Sequence, residues 1–321
     1  MNPTLSAIKN IQFGFGDMDE PIPEFSYALW KHRAKKTQVH GTRIALAESF
    51  GQDVGNADGV FTRTPGLLLT LVNADCFPLL FAKHDGSAIA ALHVGWRGAL
   101  GGIILKFKEL LINEREDPAD WQVAIGPGAC ACCYEVTDQI ISDFSRAWNL
   151  SAEKISPTHR KLDLPVIIQH QLAVSGFQLT GNGSECTICS GKSENRTPAF
   201  HSFRRSGSQM PQVSAIVIHS NSSNKTQNLE KISRSREQAM MDIYPRLYDF
   251  SKDRIGVSIP NINYHIKPNP IVSIVTDRIF YHRHPDLKNR RITNISQDSK
   301  YLSEWVNIFM EQGGNVILSK Q

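Results

Sequence analysis

No stretch of this chain approaches the eighteen or more consecutive apolar residues that a membrane helix requires, so no membrane partner is expected. The N-terminus, MNPTLSAIKNIQFGFGD, lacks a charged-then-apolar layout, so no secretory leader is expected and a cytoplasmic location follows. Internal repeats and low-complexity tracts are absent. Cysteine is scarce, with six residues that all fall between 76 and 189. In a large chain without a leader these are thiols or metal ligands rather than a disulfide framework. Positive charge is not concentrated either. Residues 225–321 hold 15 Lys/Arg against 10 Asp/Glu, and the rest of the chain is close to neutral. Charges scattered in this way describe a solvated basic surface, and no specific nucleic-acid partner is expected.

What is present is an ordinary globular composition, 41% hydrophobic and 21% charged over 321 residues, enough for one large or two ordinary domains. From Val60 to about Val136 the pattern is α/β-like. GLLLTLV and AIAALHV read as buried strands, and GALGGIILKFKELLINE as a helix following the second. WQVAIGPG reads as a strand ended by Gly-Pro-Gly. VTDQIISDFSRAW and LDLPVIIQHQLAVSG read as helices, the latter ending at Gly176, and SAIVIHS as a short strand. The polar, aperiodic HSNSSNKTQN, residues 219–228, is the best linker. The expected organisation is therefore a catalytic domain over 1–220 and an extension or small second domain over 229–321. That second part contains REQAMMDIYPRLYDF, NPIVSIVTDRIFYH, SEWVNIFMEQ and NVILSK.

Two apolar segments are interrupted by chemically capable residues. LVNADCFPLLF breaks at Asp75 and Cys76, and AIAALHV ends at His93 before GWRG. With His40 of TQVHGTR, Cys76 and His93 make a trio at or near segment ends. Imidazole nitrogen and thiolate suit zinc, and three protein ligands with an open fourth position are what a catalytic zinc site requires. Spacing alone favours a buried thiol and two unrelated histidines, because separations of 36 and 17 residues match no compact metal motif. Cys130, Cys132 and Cys133 of GPGACACCYEV, with Cys186 and Cys189 of CTIC, could form a second soft-metal site. Small, partly buried thiols are the commoner reading. The Gly-Pro-Gly turn could offer backbone N–H groups to an anion, but a plain tight turn needs the same residues, so the motif does not single out an anion site.

The motifs QVHG, ADGVFT…PG, ADCFPLLF, HVGWRG, IGPG…CYEV, LDL, CT and FHSFRR occur in the order seen in the laccase-domain family. This family is also known as multicopper polyphenol oxidase-type proteins or peptidoglycan-editing factors, and its members are described as zinc-dependent purine nucleoside phosphorylases with adenosine deaminase activity. The resemblance spans roughly residues 35–220. It implies an α+β fold, a layered α/β/β/α sandwich with mixed sheets, carrying a C-terminal extension of uncertain fold. It implies Zn2+ on His40, Cys76 and His93, and a nucleoside and phosphate as partners. A bound zinc lowers the pKa of its water to about 7, which suits deamination at the purine C6. Phosphorolysis needs phosphate held beside the ribose, a task for arginine's planar fork. Arg97 of GWRG is nearest the metal in sequence, followed by Arg204 and Arg205 of FHSFRR and by Arg63 of FTRTPG. Asp75 is a candidate acid/base or, more in keeping with strand alternation, a carboxylate hydrogen-bonded to a ligand histidine.

The chain departs from that family in two places. Only 37 residues precede Gln38, where a longer segment with a Gly-rich stretch and an Asn-Arg pair is usual, and FGFGDMDEP is a remnant at best. After the double arginine the chain reads SGSQMPQ in place of a Thr-Gly-Arg run. Metal binding is therefore safer than turnover. Two other readings compete: a thiol hydrolase with Cys76 as nucleophile and a histidine base, acting on an amide such as a cell-wall peptide, and a non-catalytic zinc-binding descendant. A copper oxidase is disfavoured, because a multicopper centre needs many His ligands and the chain has 11 His with one His-x-His, His282 and His284.

Overall fold

The computed structural model describes residues 5–181, 185–191, 198–207, 211–219, 229–243, 256–259, 262–266 and 316–319. In chain order the elements before the linker are β1 (Ile11–Phe15), α1 (Glu24–Tyr27), β2 (Lys35–Thr37), β3 (Ile44–Leu46), β4 (Asp53–Asn56), β5 (Gly59–Thr62), β6 (Leu69–Asn73), β7 (Phe77–Lys83) and β8 (Ile89–Val94). Then follow α2 (Trp96–Leu100), α3 (Ile103–Asn113), β9 (Trp121–Ile125), α4 (Asp138–Trp148), α5 (Ala152–Ile155), α6 (Leu164–Ser175), β10 (Gln178–Gly181), α7 (Phe203–Ser206) and β11 (Gln212–Ile218).

Two sheets dominate. Six strands run in the order β10-β9-β7-β8-β5-β3, antiparallel at the centre and parallel at both ends. A second sheet, β1-β11-β6, is antiparallel throughout. The two-residue period of β7 explains how they stack. Phe77, Leu79 and Phe81 enter one core with Phe107 of α3 and Ile167 and Ile168 of α6. Leu80 and Ala82 enter another with Leu69 and Leu71 of β6 and Ile216 of β11. Helices therefore cover one face of the large sheet and the small sheet covers the other. In the helix-side core Phe107 stacks on Phe177 and meets Phe81 edge-on, with ring centroids 5.5 and 4.9 Å apart. On the outer side of the small sheet, a Cβ at Gly14 of β1 would lie 3.2 Å from Pro23 and 3.3 Å from Phe25. The segment carrying α1 thus supplies the fourth layer of the expected α/β/β/α sandwich.

Two expected elements divide. GALGGIILKFKELLINE is two helices, because Gly102 takes φ +77° in the left-handed region and ends the first helical run. LVNADCFPLLF is the end of β6 and the start of β7, and these belong to different sheets. The chain crosses between sheets at Asp75, whose φ of +92° is rare outside glycine. The interruption in the apolar run is thus an inter-sheet turn.

Residues 1–236 and 237–321 form two compact units. Helix α8 (Leu229–Ile243) spans the division. In the second unit β12 (Gly256–Ile259), β13 (Ile262–Ile266) and β14 (Val316–Ser319) form an antiparallel sheet. NVILSK contributes β14, whereas NPIVSIVTDRIFYH and SEWVNIFMEQ lie outside the described residues, as do His282 and His284. No helix among the described residues is long and apolar enough to cross a membrane.

Candidate metal centre

Antiparallel pairing of β7 with β8 puts the start of one beside the end of the other, and Pro78 faces His93. Cys76 immediately precedes β7, so the thiol and the imidazole emerge at the same sheet end. Gly59, at the start of β5, pairs with Leu92, which brings Asp58 to that end as well. His40 arrives on the turn after β2. The ligand atoms of His40, Cys76 and His93 all lie within 4.8 Å of one another, and the two imidazole centroids are 4.9 Å apart. Sequence order had kept these three apart; sheet register brings them together.

Asp58 organises the cluster. It is fully buried. Its Oδ1 accepts from His93 Nδ1 at 2.9 Å and from the His40 amide at 2.9 Å, and its Oδ2 from the amides of Gly41 at 2.6 Å and Val39 at 3.2 Å. One carboxylate therefore fixes the His93 ring and also the loop that presents His40. With Nδ1–H donated to Asp58, His93 leaves Nε2 as a bare acceptor, the form a metal ligand needs. Burial alone would raise the Asp58 pKa, but the hydrogen bonds from His93 and the Gly41 and Val39 amides outweigh it and hold the carboxyl below its usual range. Burial, helped by the neighbouring His40, lowers His93, so its ring is neutral, although Asp58 opposes the shift. His40 has φ +61°, a conformation that costs energy away from glycine and that the Asp58 contacts hold in place.

Gly95 shows how closely the ligands are packed. A Cβ there would come 2.8 Å from Cys76 Sγ and 3.3 Å from His40 Cδ2, so HVGWRG requires its glycine. Burial, followed by the charges of Asp75 and Asp58, pushes the Cys76 thiol up to about 12 against a weaker opposing effect of Arg97. A thiolate here needs a cation beside it. Two imidazoles, one thiol, an orienting carboxylate and an exposed edge at His40 make a donor set that fits a metal ion with an open position.

The other expected residues separate. Arg97, at the start of α2, is exposed; its guanidinium lies 4.4 Å from the Trp96 ring centroid, and among the described residues no hydrogen bond or ion pair engages it. Asp75 does not hydrogen-bond to either histidine of the trio. Its Oδ1 accepts from Thr187 Oγ1 at 2.7 Å and its Oδ2 from the Arg204 amide at 2.7 Å, and Asp58 holds the ligand histidine instead. Arg204 donates to the Glu135 carbonyl and lies 4.9 Å from the Tyr134 ring centroid. The Arg205 guanidinium is taken up by the carbonyls of Thr187, Ile188 and Phe200. Arg63 is at the other end of the sheet. It follows Thr62, which pairs with Ile89 at the far end of β8 from His93, and it forms ion pairs with Glu114 at 2.9 Å and Glu116 at 3.1 Å.

Sequence reasoning missed Asp58 and Tyr134. Tyr134 is nearly buried, and its pKa is pushed up to about 12, first by burial and then by Cys76, which places it beside the cluster. Both sit inside quoted motifs, ADGVFT and CYEV, but nothing local marks them. A lone Asp before an apolar strand and a Tyr after a cysteine pair are ordinary sequence.

The fold and this site define a layered α/β protein with a His-Cys-His cluster that could hold a metal ion at one end of its larger sheet. Residues 24–219 match the family model described as multi-copper polyphenol oxidoreductase laccase, and the chain belongs to that family. It is 33% identical over 188 residues to a purine nucleoside phosphorylase of Deinococcus radiodurans, covering 57% of this chain and 69% of that one. It is also 33% identical over 168 residues to the purine nucleoside phosphorylase YlmD of Geobacillus stearothermophilus, covering 47% and 61%. The crystal structure of YlmD from Geobacillus stearothermophilus superposes with a TM-score of 0.55 at 24% identity, over 66% of this chain and 93% of that one, a likeness of fold.

Proposed function

We propose that this protein is a zinc-dependent purine nucleoside phosphorylase that cleaves adenosine- or inosine-type nucleosides with phosphate, with adenosine deamination as a second activity of the same site. The observation that carries the reading is the His40–Cys76–His93 cluster, with ligand atoms within 4.8 Å and one ring fixed by Asp58, in a chain whose relatives are named purine nucleoside phosphorylases. Zinc held there supplies Lewis acidity at the exposed edge of the cluster.

The protein groups divide the remaining work. Arg97 presents beside Cys76 a guanidinium with no hydrogen bond or ion pair among the described residues, and it takes phosphate bidentately, as its planar fork allows. Stacking on Trp96 limits the freedom of that side chain before phosphate arrives. Arg204 lies further out, over Tyr134, and adds positive charge to the same rim. Asp75 acts through Thr187 and the Arg204 amide as a positioning residue. Arg205 ties the turn at Thr187 and Ile188 to Phe200 and serves the same purpose.

Copper oxidase chemistry, despite the family description, finds too few imidazoles: the metal-ligating groups among the described residues contain only His40 and His93. A thiol hydrolase would need Cys76 as a free thiolate, and its burial beside two carboxylates opposes that.

The test is metal content of wild type and Cys76→Ala by mass spectrometry, with phosphate-dependent release of base from adenosine and inosine assayed in parallel. Formation of inosine from adenosine without phosphate reads the deaminase. Loss of one metal ion per chain and of both reactions together in the variant supports the proposal. Metal-free wild type whose activity still depends on Cys76 would overturn it in favour of the thiol hydrolase. Stable metal without turnover would make the chain a binding protein.

A further inference from the structure

Away from the trio, the two cysteine-bearing turns meet. The Sγ atoms of Cys132, Cys133, Cys186 and Cys189 all lie within 4.8 Å of one another, and Cys132 Sγ is 3.5 Å from Cys189 Sγ. Four sulfurs around zinc at about 2.3 Å in tetrahedral geometry would sit roughly 3.8 Å apart. The observed cluster needs only a small contraction to reach that arrangement.

Local structure explains how four sulfurs converge. Neighbours in an extended strand would point to opposite faces, but residues 131–133 form a turn, with the amides of Cys133 and Tyr134 both donating to the Cys130 carbonyl at 2.9 Å. Cys132 and Cys133 can therefore face one point. Cys186–Ser190 is a second turn, closed by the Ser190 amide on the Cys186 carbonyl at 2.9 Å. Inside it the amides of Ile188 and Cys189, with that of Cys130 across the gap, point at Cys186 Sγ. Amides aimed at sulfur are the surroundings that a metal-bound thiolate needs. Positive charge is also to hand: Arg205 donates to the carbonyls of Thr187 and Ile188, the two residues between Cys186 and Cys189.

We propose that Cys132, Cys133, Cys186 and Cys189 form a second metal site, a closed four-thiolate centre for a soft tetrahedral divalent cation, zinc by preference. As each sulfur binds, its proton passes to solvent, so up to four thiol protons exchange for one cation. All four positions are filled by protein, which makes the site structural. What it holds is the wall of the first site: Tyr134 directly follows Cys133, and Thr187, next to Cys186, donates to Asp75 at 2.7 Å.

The experiment is metal counting on the full-length protein purified under reducing conditions without chelator. Wild type is expected to hold two metal ions per chain, Cys76→Ala one, and Cys132→Ser/Cys189→Ser one. Cobalt loaded into Cys76→Ala should give the visible bands and sulfur-to-metal charge transfer of a four-thiolate tetrahedral centre, absent when Cys132→Ser and Cys189→Ser are added. One ion in both wild type and Cys76→Ala would sink the trio and leave this site standing. One ion in wild type and none in Cys76→Ala would overturn this site and leave the trio. If the double variant does not fold, the Cys76→Ala count and cobalt spectrum decide alone.

Discussion

The two ligand clusters in this chain are built differently. His40, Cys76 and His93 come from three widely separated points and are brought together by the pairing of β5, β7 and β8, with Asp58 behind them. Cys132, Cys133, Cys186 and Cys189 come from two short turns held to each other by the Thr187 amide on the Gly128 carbonyl. The first has mixed ligands, an exposed edge and an arginine stacked on Trp96 beside it; the second has four uniform soft ligands. An open site suits chemistry and a closed one suits stability.

That contrast can be broken by experiment. The largest effect expected is a crossed pair. Cys76→Ala abolishes phosphorolysis while the thermal midpoint changes little, whereas Cys132→Ser/Cys189→Ser lowers the midpoint strongly and, through the wall that site holds, reduces turnover only in part. Calorimetry and steady-state assays on the two variants read this directly, and equal losses of both properties in both variants would dissolve the distinction. Next is Asp58→Asn. It should weaken metal binding at the trio by roughly 10–100-fold, the usual consequence of removing the partner that orients a ligand histidine. Chelator competition measures it, and the four-cysteine site should not respond. Arg97→Met should leave both metals in place and raise KM for phosphate, lowering kcat/KM by about 10–100-fold, as expected when charged hydrogen bonds of about 1.5–3 kcal/mol are lost. An unchanged phosphate KM would remove Arg97 from the site.

The smallest effect concerns Lys36, which donates to Gln38 Oε1 at 3.0 Å and to the Thr70 carbonyl at 2.8 Å. Although the residue is only partly buried, its ammonium end is enclosed. That desolvation, with help from Arg33 and against Asp58, lowers its pKa to about 8 from the ordinary 10.5. The folded chain then binds fewer protons than the unfolded chain between those values. Stability therefore rises with pH across that window, by at most about 1.4 kcal/mol per unit. Urea midpoints at pH 7.5 and pH 9.5 should show the rise in wild type and lose it in Lys36→Met.

Much of this protein was legible as sequence, for a local reason. Short, mostly apolar runs such as AIAALHV and WQVAI, bounded by turn residues and too short for a helix, read as buried strands, and they are β8 and β9. The spacing in VTDQIISDFSRAW, with Thr137 accepting from the Ile140 amide as a cap, can only be an amphipathic helix, and it is α4. His40, Cys76 and His93 announced themselves as reactive residues beside glycine, proline or a turn. What local pattern could not decide is which elements neighbour one another. Whether Asp75 or Asp58 served the histidine depended on a chain that changes sheets at residue 75 and on the pairing of Gly59 with Leu92. Arg63 and Arg97 look alike in sequence, yet sheet pairing sends one to each end of the large sheet. The cysteines of GPGACACCYEV and CTIC allowed either a soft-metal site or plain buried thiols, and only the meeting of two turns far apart in sequence brings four of their sulfurs together. Sequence by itself determined the elements and the chemical inventory, because both follow from residue type and short-range periodicity. Register and long-range pairing, set by burial across the whole core, decided which of those groups share a site.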